Sequence, residues 1–238
     1  MKIQDSVALV TGGNRGFGLA VAKELRDRGA KKVYVGVRNP ADVDHEGIVP
    51  IRLDVSDAES VAAAAERCGD VTLLVNNAGT GRVHLAGTLD PDLVELTRQV
   101  LDVNLYGMIR VSQAFVPVIV GNGGGGIVNV ISDQAWFARP IIAGYGMSKA
   151  AAWNFTNALR MDLRDRGVEV LSLHVGFMDT DLVRDLDVPK SDPRRIAAVT
   201  LDGLEEGREE VLADEQTRLV KRTVSTDDGY YLNPPALG

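Results

Sequence analysis

The stretch VALVTGGNRGFGLA, residues 7–20, joins a short apolar run to three spaced glycines and the start of an amphipathic helix. Val7 to Thr11 is rich in β-branched residues and predicts a buried strand. Gly12, Gly16 and Gly18 let the backbone turn tightly and approach a ligand, and the following helix offers free N–H groups. This order of strand, turn and helix indicates a nucleotide-binding α/β sheet.

The rest of the chain continues the alternation of strand and helix. Further strands are predicted at 32–37, 48–55, 71–79, 126–132 and 168–175, with a weak seventh at 209–214. Helices are predicted at 16–30, 56–69, 90–120, 144–166 and 192–206. We expect a bend or break in the third of these helices, because Pro117 lacks a backbone donor.

Strands that are apolar on both faces and separated by helices require helices on both sides of a parallel sheet. The sequence therefore predicts an α/β fold, a Rossmann-like doubly wound parallel sheet of about seven strands with helices on both faces. No change of composition marks a linker. We predict a single domain over residues 1–238, with an irregular tail at about 224–238.

Composition narrows the classes of function. The 238 residues are 45% hydrophobic and 25% charged, which is typical of a globular protein, and the net charge of −7 argues against nucleic-acid binding. The single cysteine, Cys68, cannot form an internal disulfide and fits a cytoplasmic location. Gly and Pro interrupt the apolar runs and no signal peptide is evident, so we expect no membrane partner.

A second informative stretch is SDQAWFARPIIAGYGMSKAA, residues 132–151. Tyr145 and Lys149 are one helical turn apart, and Ser132 follows the fifth strand. A lysine on the same helix face favours the phenolate and lowers the pKa of a tyrosine, while the serine can donate to a substrate oxygen. Tyr–Lys pairs at this spacing are common on amphipathic helices, so the pattern by itself leaves a purely structural role open.

Five ordered motifs resemble the short-chain dehydrogenase/reductase family. They are T-G-x-x-x-G-x-G at 11–18, NNAG at 76–79, Asn104 in VNLYG, Ser132, and Y-x-x-x-K at 145–149. The resemblance covers residues 3 to about 185. It implies that Tyr145 is the general acid/base and that Lys149 tunes it and holds the nicotinamide ribose. It also implies that Asn104 orders a water in a proton relay, with Ser132 as the fourth catalytic residue.

The resemblance further implies a nicotinamide dinucleotide cofactor. The residues expected to bind it are Gly12, Asn14, Arg15, Gly16, Phe17, Gly18, Arg38, Asp54, Val55, Asn77, Ala78, Gly79, Tyr145, Lys149, Met178 and Thr180. An acid at the end of the second strand would bind the ribose hydroxyls of NAD, but Val37 and then Arg38 stand there. Because Arg38 and Arg15 suit a 2′-phosphate, we expect NADP(H) in preference to NAD(H).

Apolar residues around the serine and after the sixth strand are candidates for a substrate wall. They are Trp136, Phe137, Ile141, Ile142, Phe177, Leu182 and Leu186. Core packing explains some of them equally well. A substrate loop is expected at about 177–192, and its segment after Thr180 is expected to form a short lid whose order depends on ligand. No His, Cys, Asp or Glu cluster has the spacing of a metal site, so no metal is expected.

These features predict an NADP(H)-dependent oxidoreductase that interconverts a small to medium apolar ketone or aldehyde and a secondary alcohol. The alternative is a non-catalytic NADP(H)-binding sensor or interaction protein, which would not need all four catalytic residues. The sequence lacks the glycine-rich C-terminal ending common in the family. We therefore expect a homo-oligomer, a dimer in preference to a tetramer, formed through the 90–120 and 145–166 helices.

Overall fold

The computed structural model describes residues 1–84, 86–183 and 187–235, except for the side chain of Leu182. Seven strands form one sheet in the order β3-β2-β1-β4-β5-β6-β7. They are β1 (Val7–Thr11), β2 (Lys32–Val37), β3 (Ile48–Arg52), β4 (Leu73–Asn76), β5 (Gly125–Val130), β6 (Val168–His174) and β7 (Glu210–Leu212). Every neighbouring pair is parallel, which confirms the predicted fold class.

Seven α-helices connect or follow the strands in the described residues. They are α1 (Gly16–Asp27), α2 (Ala58–Arg67), α3 (Leu93–Leu101), α4 (Met108–Gly121), α5 (Ala143–Leu163), α6 (Pro193–Glu205) and α7 (Glu215–Thr223). The strand order reverses at β1, whose neighbours are β2 and β4. A sheet of this kind binds ligands at that switch point, outside the carboxyl ends of its strands.

The two faces of the sheet carry separate hydrophobic cores, and β1 contributes alternate residues to each. Ala8 and Val10 pack with α1 and α6, whereas Val7 and Leu9 pack with α2 and α4. The alternation follows from the twofold side-chain period of a strand. Burial on both faces is why the central strand β1 is almost entirely apolar.

The predicted break at Pro117 is wrong, and the alternative, a bend, stays a prediction. Pro117 lies inside α4, and the irregular segment is instead a π-helix, Asp102–Gly107, between α3 and α4. Pro117 and Gln113 are both exposed, so the carbonyl left without its helical donor faces solvent. Wide turns of this kind often mark functional sites, and this one carries Asn104.

The continuous helical run Leu93–Gly121 is long and apolar enough to cross a membrane, judged by length and composition alone. In this fold the run packs on the sheet, and Val111, Phe115 and Ile119 are fully buried in one of the two cores. The apolar character of the run is thus explained by its place in the core.

The C-terminal region contains an element that the sequence interpretation did not include. Helix α7 follows β7 and is capped by Asp214, whose carboxylate accepts a hydrogen bond from the backbone N–H of Thr217 at 2.8 Å. Residues 224–235 form turns only. Helix α7 packs on the segment after β5, so the C-terminal region contributes to the surroundings of Ser132.

Candidate active site

The glycine turn after β1 is bonded to the NNAG turn after β4. Gly12 and Gly16 have φ of 65° and 55°, a region that favours glycine. The Thr11 hydroxyl accepts hydrogen bonds from the backbone N–H groups of Asn77 and Ala78, both at 3.0 Å. The Asn77 side-chain amide donates to the carbonyl oxygens of Thr11 and Gly12 at 2.9 and 3.1 Å. These bonds replace strand pairing after Asn76, where β4 gives way to the glycine-containing turn.

The amino terminus of α1 has the features of an anion site. No side chain caps it, and its first turn contains no acidic residue. The free N–H groups and the helix dipole therefore remain available to a pyrophosphate. Phe17 and Gly18 are buried, so any cofactor contact by these two residues would come from the backbone.

The predicted adenosine-binding residues follow β2 and β3. Arg38 is exposed directly after β2. The Asp54 carboxylate accepts two hydrogen bonds from Ser56, at 2.6 Å from the hydroxyl and 3.0 Å from the backbone N–H. These bonds, together with the nearby positive charges of Arg38 and Arg52, lower the pKa of Asp54. Asp54 is thus ionised, and its Oδ1 already accepts both hydrogen bonds from Ser56.

Arg15 has a partner that the sequence did not predict. Its guanidinium forms an ion pair with Asp181 at 2.8 Å, across the cleft between the glycine turn and the segment after β6. Both side chains are substantially exposed. An exposed pair contributes only about 0–1 kcal/mol, so a phosphate could compete for Arg15.

The segment after β6 lies against the glycine turn. Gly16, Asp179, Thr180 and Asp181 line a cleft of about 320 Å³. The base of the predicted substrate loop is closed by hydrogen bonds from Asp179 N–H to the Ser191 carbonyl and from Ser191 N–H to the Phe177 carbonyl, at 3.0 and 2.8 Å. Thr180 therefore lies beside Gly16 of the glycine turn, and the cofactor-binding roles of Met178 and Thr180 stay predictions. The side chain of Leu182 and the whole of Leu186 lie outside the described residues.

Ser132, Tyr145 and Lys149 come together beyond the carboxyl end of β5. The Lys149 ammonium donates to the carbonyl oxygen of Val130 at 2.8 Å and lies 5.6 Å from the centre of the Tyr145 ring. The Ser132 hydroxyl is near enough to Tyr145 to lower the pKa of its phenol. A Cβ built on Gly79 would lie 3.9 Å from the Lys149 ammonium, so the NNAG turn borders this group.

Asn104 is fixed by three hydrogen bonds within the protein. Its side-chain oxygen accepts from Thr80 N–H at 2.8 Å, and its amide donates to the Thr80 carbonyl at 2.9 Å and to the Ser148 hydroxyl at 3.0 Å. Ser148 in turn donates to the carbonyl of Tyr145 at 2.7 Å. Asn104 therefore links the NNAG turn to the first turn of α5, and its role in ordering water stays a prediction.

A buried polar network that the sequence did not reveal supports this edge of the sheet. Asn76 donates to Asn129 at 2.8 Å and to Ser112 at 3.1 Å, and Asn129 donates to Thr156 at 2.9 Å. The network joins β4 and β5 to α4 and α5. Because buried amides are costly without partners, it fixes the register of the elements that carry the candidate catalytic residues.

The expected lowering of the pKa of Tyr145 by Lys149 is wrong for the protein alone. Burial raises the pKa of Tyr145 to about 12; the Ser132 hydroxyl acts in the opposite direction, and the charge of Asp133 raises the pKa further. Burial also lowers the pKa of Lys149 to about 8. For both residues the largest effect on the pKa is the cost of removing the charged form, the phenolate or the ammonium, from water.

Two of the predicted substrate-wall residues, Trp136 and Phe137, are buried and pack against other aromatic side chains. The Trp136 ring stacks on His174 at 4.1 Å and meets Trp153 edge-on at 5.8 Å. Phe137 contacts Tyr230 of the tail edge-on at 5.1 Å. The core packing alternative therefore accounts for these contacts, and a substrate role for Trp136 and Phe137 stays a prediction. Ile141 is exposed and Ile142 is half-buried.

Sequence reasoning missed the residues behind Ser132. Asp133 is buried and accepts hydrogen bonds from Ser132 and from Gln216 of α7. His174 places Nδ1 3.2 Å from the Ser132 carbonyl. The helix-start signal at Asp214 could have revealed α7, but the contact between Asp133 and Gln216 spans 83 residues of sequence. Among the described residues no group of three or more His, Cys, Asp or Glu side chains could hold a metal ion.

A parallel sheet with an anion-binding turn at its switch point and a Ser–Tyr–Lys group beside it defines a dinucleotide-binding oxidoreductase. The sequence model described as short chain dehydrogenase matches residues 6–190. The chain belongs to this family and is an oxidoreductase of the family.

Individual relatives agree with this assignment. A short chain dehydrogenase from Burkholderia cenocepacia, solved in complex with NADP, is 36% identical, with a TM-score of 0.90 over 95% of both chains. A gluconate 5-dehydrogenase from the same species, in complex with NADP and tartrate, is 25% identical, with a TM-score of 0.78 over 88% of this chain and 93% of that one. The 3-oxoacyl-[acyl-carrier-protein] reductase of Vibrio harveyi is 30% identical over 217 residues, 87% of this chain and 85% of the relative.

Proposed function

We propose that the protein transfers a hydride between NADP(H) and a small to medium apolar ketone or aldehyde, or the corresponding secondary alcohol. The observation that carries the proposal is the convergence of Ser132, Tyr145 and Lys149 at the edge of the sheet where the glycine turn and the NNAG turn meet. Asn104 connects that edge to α5. A protein that only sensed the cofactor would not need this group.

The residues present fit a nicotinamide dinucleotide. Uncapped N–H groups of α1 suit the pyrophosphate, and Lys149 borders the turn that would lie beneath the nicotinamide ribose. When bound, the nicotinamide supplies or accepts the hydride. The solved relative from Burkholderia cenocepacia, in complex with NADP, supports the same choice of cofactor.

Within this proposal the chain's own residues handle the proton. In carbonyl reduction the Tyr145 hydroxyl donates its proton to the substrate oxygen, and Ser132 donates a hydrogen bond to the same oxygen. With its pKa raised to about 12, Tyr145 is protonated at neutral pH, the state that reduction requires. Lys149 is largely protonated below its pKa of about 8. Its positive charge stabilises the phenolate that Tyr145 becomes when it has given up its proton.

The test of the proposal is a panel of ketones, aldehydes and secondary alcohols assayed with NADPH or NADP⁺ and followed by NADPH absorbance. We expect turnover with at least one apolar carbonyl compound. Cofactor binding without turnover across the panel would contradict the proposal and favour the alternative, a non-catalytic sensor or interaction protein.

The preference for NADP(H) gives a further prediction, which concerns Arg38. An exposed arginine follows β2 where an acid would select NAD. We expect Arg38→Ala to raise the Kd of NADPH about 10- to 100-fold, the value of a charge-assisted hydrogen bond, and to leave the Kd of NADH nearly unchanged. Fluorescence titration of both cofactors measures the two constants.

The control for Arg38→Ala is Arg208→Ala. Arg208 is an exposed arginine that precedes β7 and so lies at the opposite edge of the sheet, where it pairs with Glu206. This variant should bind both cofactors like the wild type. An equal loss of NADPH and NADH affinity in Arg38→Ala would show that Arg38 does not read the 2′-phosphate.

We also propose an oligomeric state and a cellular location for the protein. Exposed apolar side chains on α3 and α5, among them Val94 at 62% and Met161 at 73% exposure, support a homodimer formed through these helices. The net charge of −7 and the lone Cys68 support a cytoplasmic enzyme with a small-molecule substrate and with neither nucleic acid nor membrane as partner.

A further inference from the structure

The Ser132 hydroxyl already has a strong acceptor inside the protein. Ser132 Oγ donates to Asp133 Oδ1 at 3.1 Å and accepts from Gln134 N–H at 3.2 Å. A serine hydroxyl carries a single hydrogen, and an ionised carboxylate can only accept. A substrate oxygen that needs the same hydrogen must therefore compete with Asp133.

Asp133 is held from behind by the C-terminal helix. Gln216 of α7 donates to Asp133 Oδ2 at 2.6 Å, and the Asp133 side chain is almost fully buried. Helix α7 is itself anchored, because the Asp214 carboxylate accepts from Thr217 N–H at 2.8 Å and from Gly176 N–H at 2.7 Å. The two oxygens of the Asp133 carboxylate thus accept from Ser132 of the candidate site and from Gln216 of α7.

Burial and several neighbouring groups shift the pKa of Asp133. Burial raises the pKa of Asp133 to about 6; Gln216 and Ser132 lower it by donating to the ionised form, and the charge of Asp214 raises it. The charge of Asp133 in turn raises the pKa of Tyr145 in α5 and of Tyr230 in the tail. Asp133 therefore changes its charge within the range in which enzymes are assayed.

The opposite side of Ser132 is formed by His174 of β6. Its Nδ1 lies against the Ser132 carbonyl, and burial lowers the pKa of the imidazole. Glu210 of β7 and Lys221 of α7 form a charged pair behind it, at 3.0 Å. The pKa of Glu210 is about 2 despite its burial, because His174 and Lys221 stabilise its charge. Asp133, with a pKa of about 6, is thus a group beside Ser132 that titrates at mildly acidic pH.

We propose that Asp133 and Gln216 are positioning residues for Ser132, and that the proton on Asp133 decides whether the Ser132 hydroxyl points to Asp133 or to the substrate oxygen. The inference rests on the proposed function, since it takes Ser132 as the donor to that oxygen. When Asp133 is protonated, its own hydroxyl donates to Ser132 Oγ and the serine hydrogen turns to the substrate. When Asp133 is ionised, the carboxylate retains that hydrogen.

The first test is the pH profile of kcat/KM for carbonyl reduction. We expect the wild type to lose about tenfold as pH rises through the pKa of Asp133, the effect of one hydrogen bond to the substrate. Asp133→Asn keeps the shape of the side chain and offers an amide N–H to Ser132, so its profile should lack this step. Gln216→Leu removes a donor to the ionised form and should move the step to higher pH.

The second test does not depend on turnover. ¹³C NMR of protein labelled at the aspartate carboxyl carbons, with Asp133→Asn for assignment, follows the titration of Asp133 directly. We expect a midpoint near the value of about 6, moved upward in Gln216→Leu and in Ser132→Ala. Gln4→Leu is the matched control, because Gln4 is exposed in the segment that precedes β1, at the amino ends of the strands, and should leave the midpoint unchanged.

Two results would overturn the inference. One is an Asp133 midpoint near the ordinary value of about 4, or one that neither Gln216→Leu nor Ser132→Ala moves. The other is a wild-type step in kcat/KM that persists in Asp133→Asn. Absence of turnover in every variant would instead contradict the proposed function and the role of Ser132 toward substrate, while the NMR midpoints would still decide whether Asp133 is coupled to Ser132 and Gln216.

Discussion

We expect Tyr145→Phe to lower kcat for carbonyl reduction by about 10³-fold or more, within the range of general acid–base catalysis, while cofactor affinity is retained. The substitution removes only the hydroxyl that donates the proton. The ring keeps its place beside Gly81 and 5.6 Å from the Lys149 ammonium. Steady-state assays with the best carbonyl substrate and fluorescence titration with NADPH measure the two quantities.

Tyr231→Phe serves as the control for Tyr145→Phe, because Tyr231 is an exposed tyrosine in the tail. It should have the kcat of the wild type. Appreciable turnover in Tyr145→Phe would contradict the assignment of Tyr145 as general acid. An equal loss of cofactor affinity would show that the variant disturbs the site as a whole and that the loss of rate does not isolate the proton.

A second large effect is expected for Gly18→Ala at the start of α1. A Cβ at Gly18 would lie 2.5 Å from the carbonyl oxygen of Gly12 and closer still to the side-chain amide of Asn77. The glycine turn and the NNAG turn would have to separate, although their hydrogen bonds hold them together. We expect a destabilisation of about 1–3 kcal/mol, a fall in Tm of about 3–10 °C, and at least about a tenfold loss of NADPH affinity.

Gly121→Ala is the matched control for Gly18→Ala. Gly121 ends α4, and a Cβ there would have no heavy atom within 4 Å. Its Tm and NADPH affinity should equal those of the wild type. Calorimetry and fluorescence titration of both variants make the comparison. Unchanged Tm and affinity in Gly18→Ala would show that the two turns are not as closely apposed as the structure has them.

The fold could be predicted from sequence because its signals are local. The apolar run Val7–Thr11, the spaced glycines and the start of the helix after them lie within 14 residues, and a parallel sheet follows from repeating that pattern. The same topology predicts that residues following different strands meet at one edge. Ser132 after β5 and the NNAG turn after β4 indeed lie at that edge, although their roles in catalysis and binding stay predictions.

The misjudged features depend on contacts between distant residues. The π-helix at Asp102–Gly107 has no distinct periodicity, whereas Pro117 gives a strong local signal but does not interrupt α4. The pKa of Tyr145 follows from burial, which spacing along a helix does not reveal. The bond between Asp133 and Gln216 joins the segment after β5 to a helix that begins 82 residues later, at Glu215.

The central claim is that hydride passes between the nicotinamide and a carbonyl carbon in this site. The most direct measurement uses NADPH deuterated at C4 on the transferred face, with the best carbonyl substrate, followed by mass spectrometry and NMR of the product. We expect deuterium on the carbinol carbon of the alcohol, formed in step with NADP⁺. An alcohol without the label, when each face of C4 is labelled in turn, or consumption of NADPH without alcohol, would contradict the account.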